Sequence, residues 1–103
     1  SQMRTEVIHN PEEQRYEIWA DDELAGFTQY HPYQGALAFI HTEIDDKFEG
    51  MGLGSTLVSG ALDEVRSRGE SVLPFCPFVR GQIKKHREYV DLVPARDRAA
   101  FGL

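Results

Sequence analysis

Apolar positions along the chain follow two periods, and the change from one to the other falls at Gly50. Before it, short extended segments alternate with turn residues. Glu6-Val7-Ile8-His9 ends at Asn10-Pro11, a pair that favours a turn. Arg15-Tyr16-Glu17-Ile18-Trp19 alternates polar and apolar side chains, as a strand with one buried face does. Asp21-Asp22 then supplies a tight turn. A third strand is predicted over Glu23 to Tyr30, with Leu24, Phe27 and Tyr30 as its large side chains and Gly26 marking a bulge. His31-Pro32-Tyr33-Gln34-Gly35 reads as a second turn. Ala36 to Ile44 is the longest strand, and its nearly unbroken apolar start predicts a central position covered on both faces. Tyr16, Trp19, Phe27 and Phe39 go to core packing.

From Leu53 onward, Leu57, Val58, Ala61, Leu62 and Val65 recur at helical steps, the stripe of an amphipathic helix. Arg66 and Arg68 suit the negative end of its dipole, and Gly69 stops it. Ser71 to Phe75 follows as a short strand. Entered from a helix, it should lie parallel to the long strand through a right-handed crossover. Pro77 can open a second helix through Phe78, Val79, Gln82 and Ile83 toward Lys84-Lys85-His86. Tyr89 to Val93 reads as a last strand, and Pro94 to Phe101 as a short charged end, helical or frayed.

At 103 residues the chain has room for one folded domain over 1–103, and 41% apolar residues give it a real core. Eleven basic against 17 acidic residues leave a net charge of −6. That field repels phosphate backbones and anionic lipid, so neither nucleic acid nor a membrane is an expected partner. Cys76 is the single cysteine, which excludes an internal disulfide and a four-cysteine zinc site and fits a reducing compartment. No apolar run approaches the roughly 20 residues that cross a bilayer. The start Ser1-Gln2-Met3-Arg4-Thr5 lacks the basic-then-apolar order of a secretion signal. A cytoplasmic protein is expected.

The strongest chemical signal is Glu49-Gly50-Met51-Gly52-Leu53-Gly54-Ser55, set between the longest predicted strand and the amphipathic helix. Alternate glycines let the backbone approach a ligand, and the first free N–H groups of the helix point at it. With the positive end of the helix dipole, this makes an anion cradle, which reconciles a pyrophosphate ligand with an acidic protein. The same glycines would equally serve a plain strand-to-helix turn. A Walker loop needs lysine just before the Ser or Thr, where this chain has Gly54. A dinucleotide fingerprint needs glycine where Ser55 stands, plus a second mononucleotide-binding half. ATP and NAD are therefore poor candidates.

Cys76 immediately precedes Pro77, so it falls at the N-cap of the next helix, where the dipole favours a thiolate, a nucleophile. A free cysteine that only packs is the competing reading. His41 and Glu43 stand two apart on the long strand, hence on one face, where the imidazole could serve as a base. They could equally be a hydrogen-bonded core histidine and a solvated glutamate. The His-x-Glu pair also occurs in zinc deaminases, which require a second cysteine that this chain lacks, so no metal is expected. Lys84-Lys85-His86-Arg87 is the one dense basic run. Lys85 and His86 could meet ligand phosphates, although such a run is usually a solvated helix face.

The glycine spacing resembles the coenzyme A pyrophosphate loop of the GNAT superfamily of N-acetyltransferases: Gln or Arg, two residues, Gly, one residue, then Gly or Ala. Glu49-Gly50-Met51-Gly52-Leu53-Gly54 fills it except at Glu49, a carboxylate that should repel the diphosphate unless it turns outward. The strand order, His41-Thr42-Glu43, Pro74-Phe75-Cys76-Pro77 and His86-Arg87-Glu88-Tyr89 are similar to the small YjdJ-type branch, over about residues 6 to 93. The resemblance implies an α/β fold: a mixed, mostly antiparallel sheet of roughly five or six strands, with a splayed parallel pair and helices on its faces. It implies acetyl-CoA as donor and an amine as acceptor. The diphosphate would lie on the amides of Gly50, Met51, Gly52, Leu53, Gly54 and Ser55. The pantetheine arm would meet backbone donors at Ile44, Asp45 and Asp46, and the acetyl group would sit between His41 and Cys76, passing either directly to the amine, with His41 or Glu43 receiving its proton through water, or through an acetyl-Cys76 intermediate. Tyr89 would stand near the superfamily's late tyrosine, which protonates the leaving thiolate. The early acceptor-site helices of larger members are missing, which leaves the acceptor side open. A non-catalytic coenzyme A or acyl-CoA binding module would use the same cradle.

Overall fold

Two hairpin turns set the first half of the sheet. Asp21 and Asp22 both take positive φ, 52° and 82°, as do Gln34 and Gly35, 51° and 79°. Consecutive left-handed residues make the tight turn whose twist matches the flanking strands. The computed structural model describes residues 3–103, so Ser1 and Gln2 of the segment weighed as a secretion signal lie outside the described residues. The strands are β1 (Thr5–Asn10), β2 (Arg15–Ala20), β3 (Glu23–Tyr33), β4 (Ala36–Ile44) and β5 (Val72–Pro74), with helices α1 (Leu53–Ser67) and α2 (Pro77–Lys85). They form one five-stranded sheet in the order β1-β2-β3-β4-β5. Its first three pairings are antiparallel and β4–β5 is parallel. This is the mixed, mostly antiparallel α/β architecture the sequence implies.

Two bulges shape the sheet. Opposite Ile18 and Trp19 stand Gly26 and Leu24, which leaves Ala25 as the extra residue, next to the glycine expected to mark it. Opposite Gln29 and Tyr30 stand His41 and Phe39, which leaves Ile40 as an extra residue in β4. A bulge of this kind reverses which strand residues turn their main chain to each neighbour. Before it, Leu37 donates to Ser71 O and Phe39 O accepts from Cys76, so odd residues of β4 face β5. After it, Asp45 donates to Ala25 O, so odd residues face β3.

The core lies between one sheet face and the helices. Tyr16, Ile18, Leu37 and Phe39 meet Leu57, Val58, Ala61, Leu62 and Val65 of α1 and Val79 and Ile83 of α2 in one buried cluster. Gly60 lets α1 approach β1, since a Cβ there would lie 2.8 Å from Val7 Cγ2. On the other face, Ala36, Ala38 and Leu73 pack together with Phe101 against them. The start of β4 is thus covered on both faces, as its apolar run predicts.

Two expectations change. His31-Pro32-Tyr33 continues β3 and only Gln34-Gly35 turns. Pro32 is tolerated because β2 pairs only as far as Gln29, so the side to which Pro32 presents its missing N–H has no partner strand. Tyr89 to Val93 is no strand: Arg87–Leu92 is a 3-10 helix. It is pinned to α1 by Tyr89 Oη donating to Asp63 at 2.8 Å and by Arg66 gripping both Asp91 oxygens at 2.9 Å. The charged end forms two short 3-10 turns, Ala95–Asp97 and Ala99–Phe101. Among the described residues no helix is long and apolar enough to cross a membrane.

Candidate active site

The parallel strands part soon after they meet. β4 and β5 pair only over Leu37–Phe39 and Val72–Pro74, and a last bond of 2.7 Å joins Cys76 N to Phe39 O. Beyond it Pro77 starts α2, and Arg80 takes the carbonyls of Pro74 and Phe75, so β5 cannot continue. β4 runs on alone past its bulge, with the main chains of Thr42 and Ile44 turned to the vacated side. A cleft of about 430 Å³ opens there, lined by Thr42, Ile44, Phe48, Glu49, Gly50, Gly52, Leu53, Gly54, Ser55 and Phe78.

The floor of this cleft is the start of α1. Its N-cap, Gly52, is left-handed at φ 74° and offers no side-chain cap. The amides of Leu53, Gly54 and Ser55 have no intrahelical acceptor by helix geometry. Among the described residues the amides from Gly50 to Ser55 donate to no backbone oxygen, whereas Glu49 N is taken by Asp46 O at 3.2 Å. Unsatisfied N–H groups at a helix start are an anion site in themselves. The glycine at 54 is also steric, because a Cβ there would stand 2.9 Å from Phe78 Cζ.

Of the expected coenzyme contacts, Ile44, Glu49, Gly50, Gly52, Leu53, Gly54 and Ser55 line the cleft. Met51 is exposed at the loop tip. Asp45 is otherwise engaged: its amide donates to Ala25 O at 2.8 Å and its carboxylate caps Lys47 N at 3.0 Å. Asp46 opens the 3-10 turn Asp46–Phe48 and accepts from Glu49 N. Lys85 and His86 close the far end of α2, off the cleft lining, with His86 as the helix C-cap.

Cys76 and His41 are not brought together. Cys76 is the N-cap of α2 as expected, buried, with Sγ 3.4 Å from Thr42 Oγ1. Strand alternation sends His41 and Glu43 through the opposite face. There His41 Nε2 bonds Glu43 Oε1 at 3.0 Å, both side chains 58% exposed, and the imidazole packs against Phe27 with centroids 6.1 Å apart. The same face carries Glu17, a buried carboxylate that accepts from Asn10, Arg15 and Trp19. Thr42 was invisible from sequence, because only the bulge at Ile40 decides which of β4's residues faces the cysteine. Tyr89 is bonded to Asp63 on α1.

A larger hollow of about 570 Å³ lies at the β1 edge beside Trp19, Asp21 and Asp22. Its lining sets the carboxylates of Glu6, Asp21 and Asp22 against the one cation Arg4, a balance that disfavours an anion. Among the described residues no three His, Cys, Asp or Glu side chains gather as metal ligands.

The splayed parallel pair has free helix-start amides at the mouth of the cleft between its strands. A profile of the GCN5-related N-acetyl-transferases matches residues 15–92, most of the chain, and the chain belongs to that family. No curated protein matches it.

Proposed function

We propose that this protein is a cytoplasmic, single-domain acetyl-CoA-dependent N-acetyltransferase that moves an acetyl group to an amine. The observation that carries the reading is the run of unsatisfied amides from Gly50 to Ser55 at the mouth of a cleft that leads to Thr42. The residues present suit coenzyme A. Amides would hold its diphosphate, the outward main chain of Thr42 and Ile44 would pair with the pantetheine amides, and the thioester would end at the divergence of β4 and β5. Glu49 stays at the rim, where its exposed carboxylate can turn to solvent.

Of the two transfer routes, the geometry favours the direct one. An acetyl-Cys76 intermediate needs a base within hydrogen-bond reach of the thiol, and the sulfur's side-chain partner is the Thr42 hydroxyl. His41 and Glu43 stand on the uncovered sheet face, where an amine can approach the strand edge and lose its proton to them. The experiment is an amide-resolved NMR titration with acetyl-CoA, paired with thiol release in the presence of spermidine and a lysine peptide. Shifts confined to residues 50–55 and to Thr42 and Ile44, with thiol release, are the expected result. Binding without release would favour the non-catalytic module, to which the open acceptor side also points. Undisturbed loop amides would refute both.

A further inference from the structure

Three side chains form a line from the core to the cleft. Thr28 Oγ1 lies 2.8 Å from Thr42 Oγ1, which lies 3.4 Å from Cys76 Sγ. Thr28 is wholly buried and Cys76 nearly so, at 0% and 4% exposure, while Thr42 reaches the cleft wall. The protons of this line have a preferred order. Among the described residues Thr28 Oγ1 has no side-chain partner other than Thr42, so its hydrogen is satisfied only by donating to Thr42. A buried donor left unpaired is costly. The contact between Cys76 Sγ and Thr42 Oγ1 could run either way, but the sulfur is a weak acceptor, and among the described residues its S–H has the Thr42 oxygen as its one hydrogen-bond partner. A hydroxyl oxygen has two lone pairs and one hydrogen. With both lone pairs of Thr42 taken, its own O–H is left to point into the cleft.

On this ground, and resting on the acetyltransferase reading above, we propose that Thr42 is a catalytic residue that donates a hydrogen bond to the carbonyl oxygen of the bound thioester. As the amine nitrogen bonds the carbonyl carbon, the C=O pair moves onto oxygen, and that oxygen gains charge opposite a donor already aimed by Thr28 and Cys76. Collapse of the adduct breaks the C–S bond and restores the carbonyl. Coenzyme A leaves as its thiolate, and the ammonium proton passes to the exposed His41–Glu43 pair and from it, through water, to the thiolate. Thr42 gives up no proton. Cys76 and Thr28 are positioning residues that act through it.

The test uses infrared difference spectra of acetyl-CoA labelled with carbon-13 at the carbonyl, bound to the wild type and to three variants. Thr42→Val, which keeps shape and loses the hydroxyl, is expected to shift the carbonyl band upward. Thr42→Ser is expected to restore it. Thr28→Val, which removes one of the two groups that aim Thr42 without touching the cleft, is expected to shift the band upward by less than Thr42→Val, because Cys76 still holds the Thr42 oxygen. Thiol release with a lysine peptide should fall about a hundredfold in Thr42→Val, the usual cost of one lost oxyanion donor, with KM for acetyl-CoA little changed. An identical band in wild type and Thr42→Val, both saturated with ligand, overturns the proposal and leaves the enzyme reading standing. Equal shifts in Thr28→Val and Thr42→Val would reduce Thr42 to a packing role and overturn it too. Failure of the wild type to bind acetyl-CoA would remove both together.

Discussion

Thr42 and His41 are neighbours on β4 with opposite duties: one touches Cys76 Sγ at 3.4 Å, the other holds Glu43 at 3.0 Å on the far side of the sheet. The cysteine and the histidine therefore make separable contributions. Removing a covalent nucleophile typically costs on the order of a millionfold in turnover. Cys76→Ala is expected to stay within roughly tenfold of the wild type, because on the proposed direct route the thiol only helps to orient Thr42. Intact mass after mixing with acetyl-CoA is expected to show no acetyl group on Cys76. His41→Ala, by contrast, should lower turnover by about a hundredfold, the lower end of what a general base supplies. An acetyl adduct that disappears in Cys76→Ala would reverse this order.

The two glycines at the start of α1 are constrained for different reasons, and alanine separates them. Gly52 is left-handed at φ 74°, with open space where a Cβ would go. Alanine there pays about 1–2 kcal/mol of backbone strain, a drop of about 5 °C or more in Tm for a domain of this size. Gly54 has ordinary helical geometry, but a methyl would meet Phe78 Cζ at 2.9 Å. The Phe78 ring is 41% exposed and can swing aside, and alanine improves helix propensity by about 1 kcal/mol. Gly54→Ala is therefore expected to melt near the wild type. The displaced ring would narrow the cleft and weaken acetyl-CoA binding by about tenfold, or ~1.4 kcal/mol. Calorimetric melts and binding isotherms on both variants check the split.

What the sequence shows and hides in this chain follows from the range of the forces involved. The turn at Asp21-Asp22, the N-cap at Cys76-Pro77 and the stripe of α1 are local, and each was legible from its own residues. The start of α1 was legible too, since Gly50 to Ser55 makes a helix start whatever packs around it. The bulge at Ile40 is set by pairing with β3, and an unbroken run such as Ala36-Leu37-Ala38-Phe39-Ile40 carries no alternation to locate it. For that reason His41 and Cys76 looked like partners and Thr42 went unnoticed. Tyr89 to Val93 has strand composition, but the grip of Asp63 and Arg66 on Tyr89 and Asp91 overrides it. Asp45 follows Ile44 in sequence and offers the same backbone donor to a ligand arm, and only the sheet register shows its amide engaged with Ala25.

Glu17 makes stability depend on acid. Burial of its carboxylate raises the pKa, but hydrogen bonds from Asn10, Arg15 and Trp19 together outweigh it and hold the group below its ordinary 4.5. A depressed folded value means that the unfolded chain binds more protons in this range. The stabilisation is complete above about pH 4.5 and is lost as pH falls through the folded value. Glu17→Gln cannot accept from all three donors and is expected to cost about 2 kcal/mol at neutral pH. Its unfolding free energy should also decline less steeply than that of the wild type between neutrality and acid. Urea titrations at a series of pH values measure both effects, and parallel curves would show that Glu17 is not the titrating group.

Tyr16 and Tyr30 sit side by side in the core, ring centroids 6.0 Å apart, and their hydroxyls have opposite fortunes. Tyr30 Oη is bonded to His9 Nε2 at 2.6 Å, whereas Tyr16 Oη is buried with no partner among the described residues. Burial drives the Tyr16 phenol well above its usual ionisation range, with the carboxylates of Glu64 and Glu70 adding to the effect, so it stays a neutral and unsatisfied donor. Deleting an unpaired buried hydroxyl removes a desolvation penalty, whereas deleting a paired one strands its partner. Tyr16→Phe is accordingly expected to be neutral or to stabilise by up to about 1 kcal/mol, and Tyr30→Phe to destabilise by about 1–2 kcal/mol. The His9 ring, stacked on Tyr16 at 4.3 Å, should keep its place in the first variant and lose its anchor in the second. Thermal melts of the two variants at one pH, with the His9 ring protons followed by NMR, check the sign. A loss of stability in Tyr16→Phe equal to that in Tyr30→Phe would mean that a bound water satisfies the Tyr16 hydroxyl in solution.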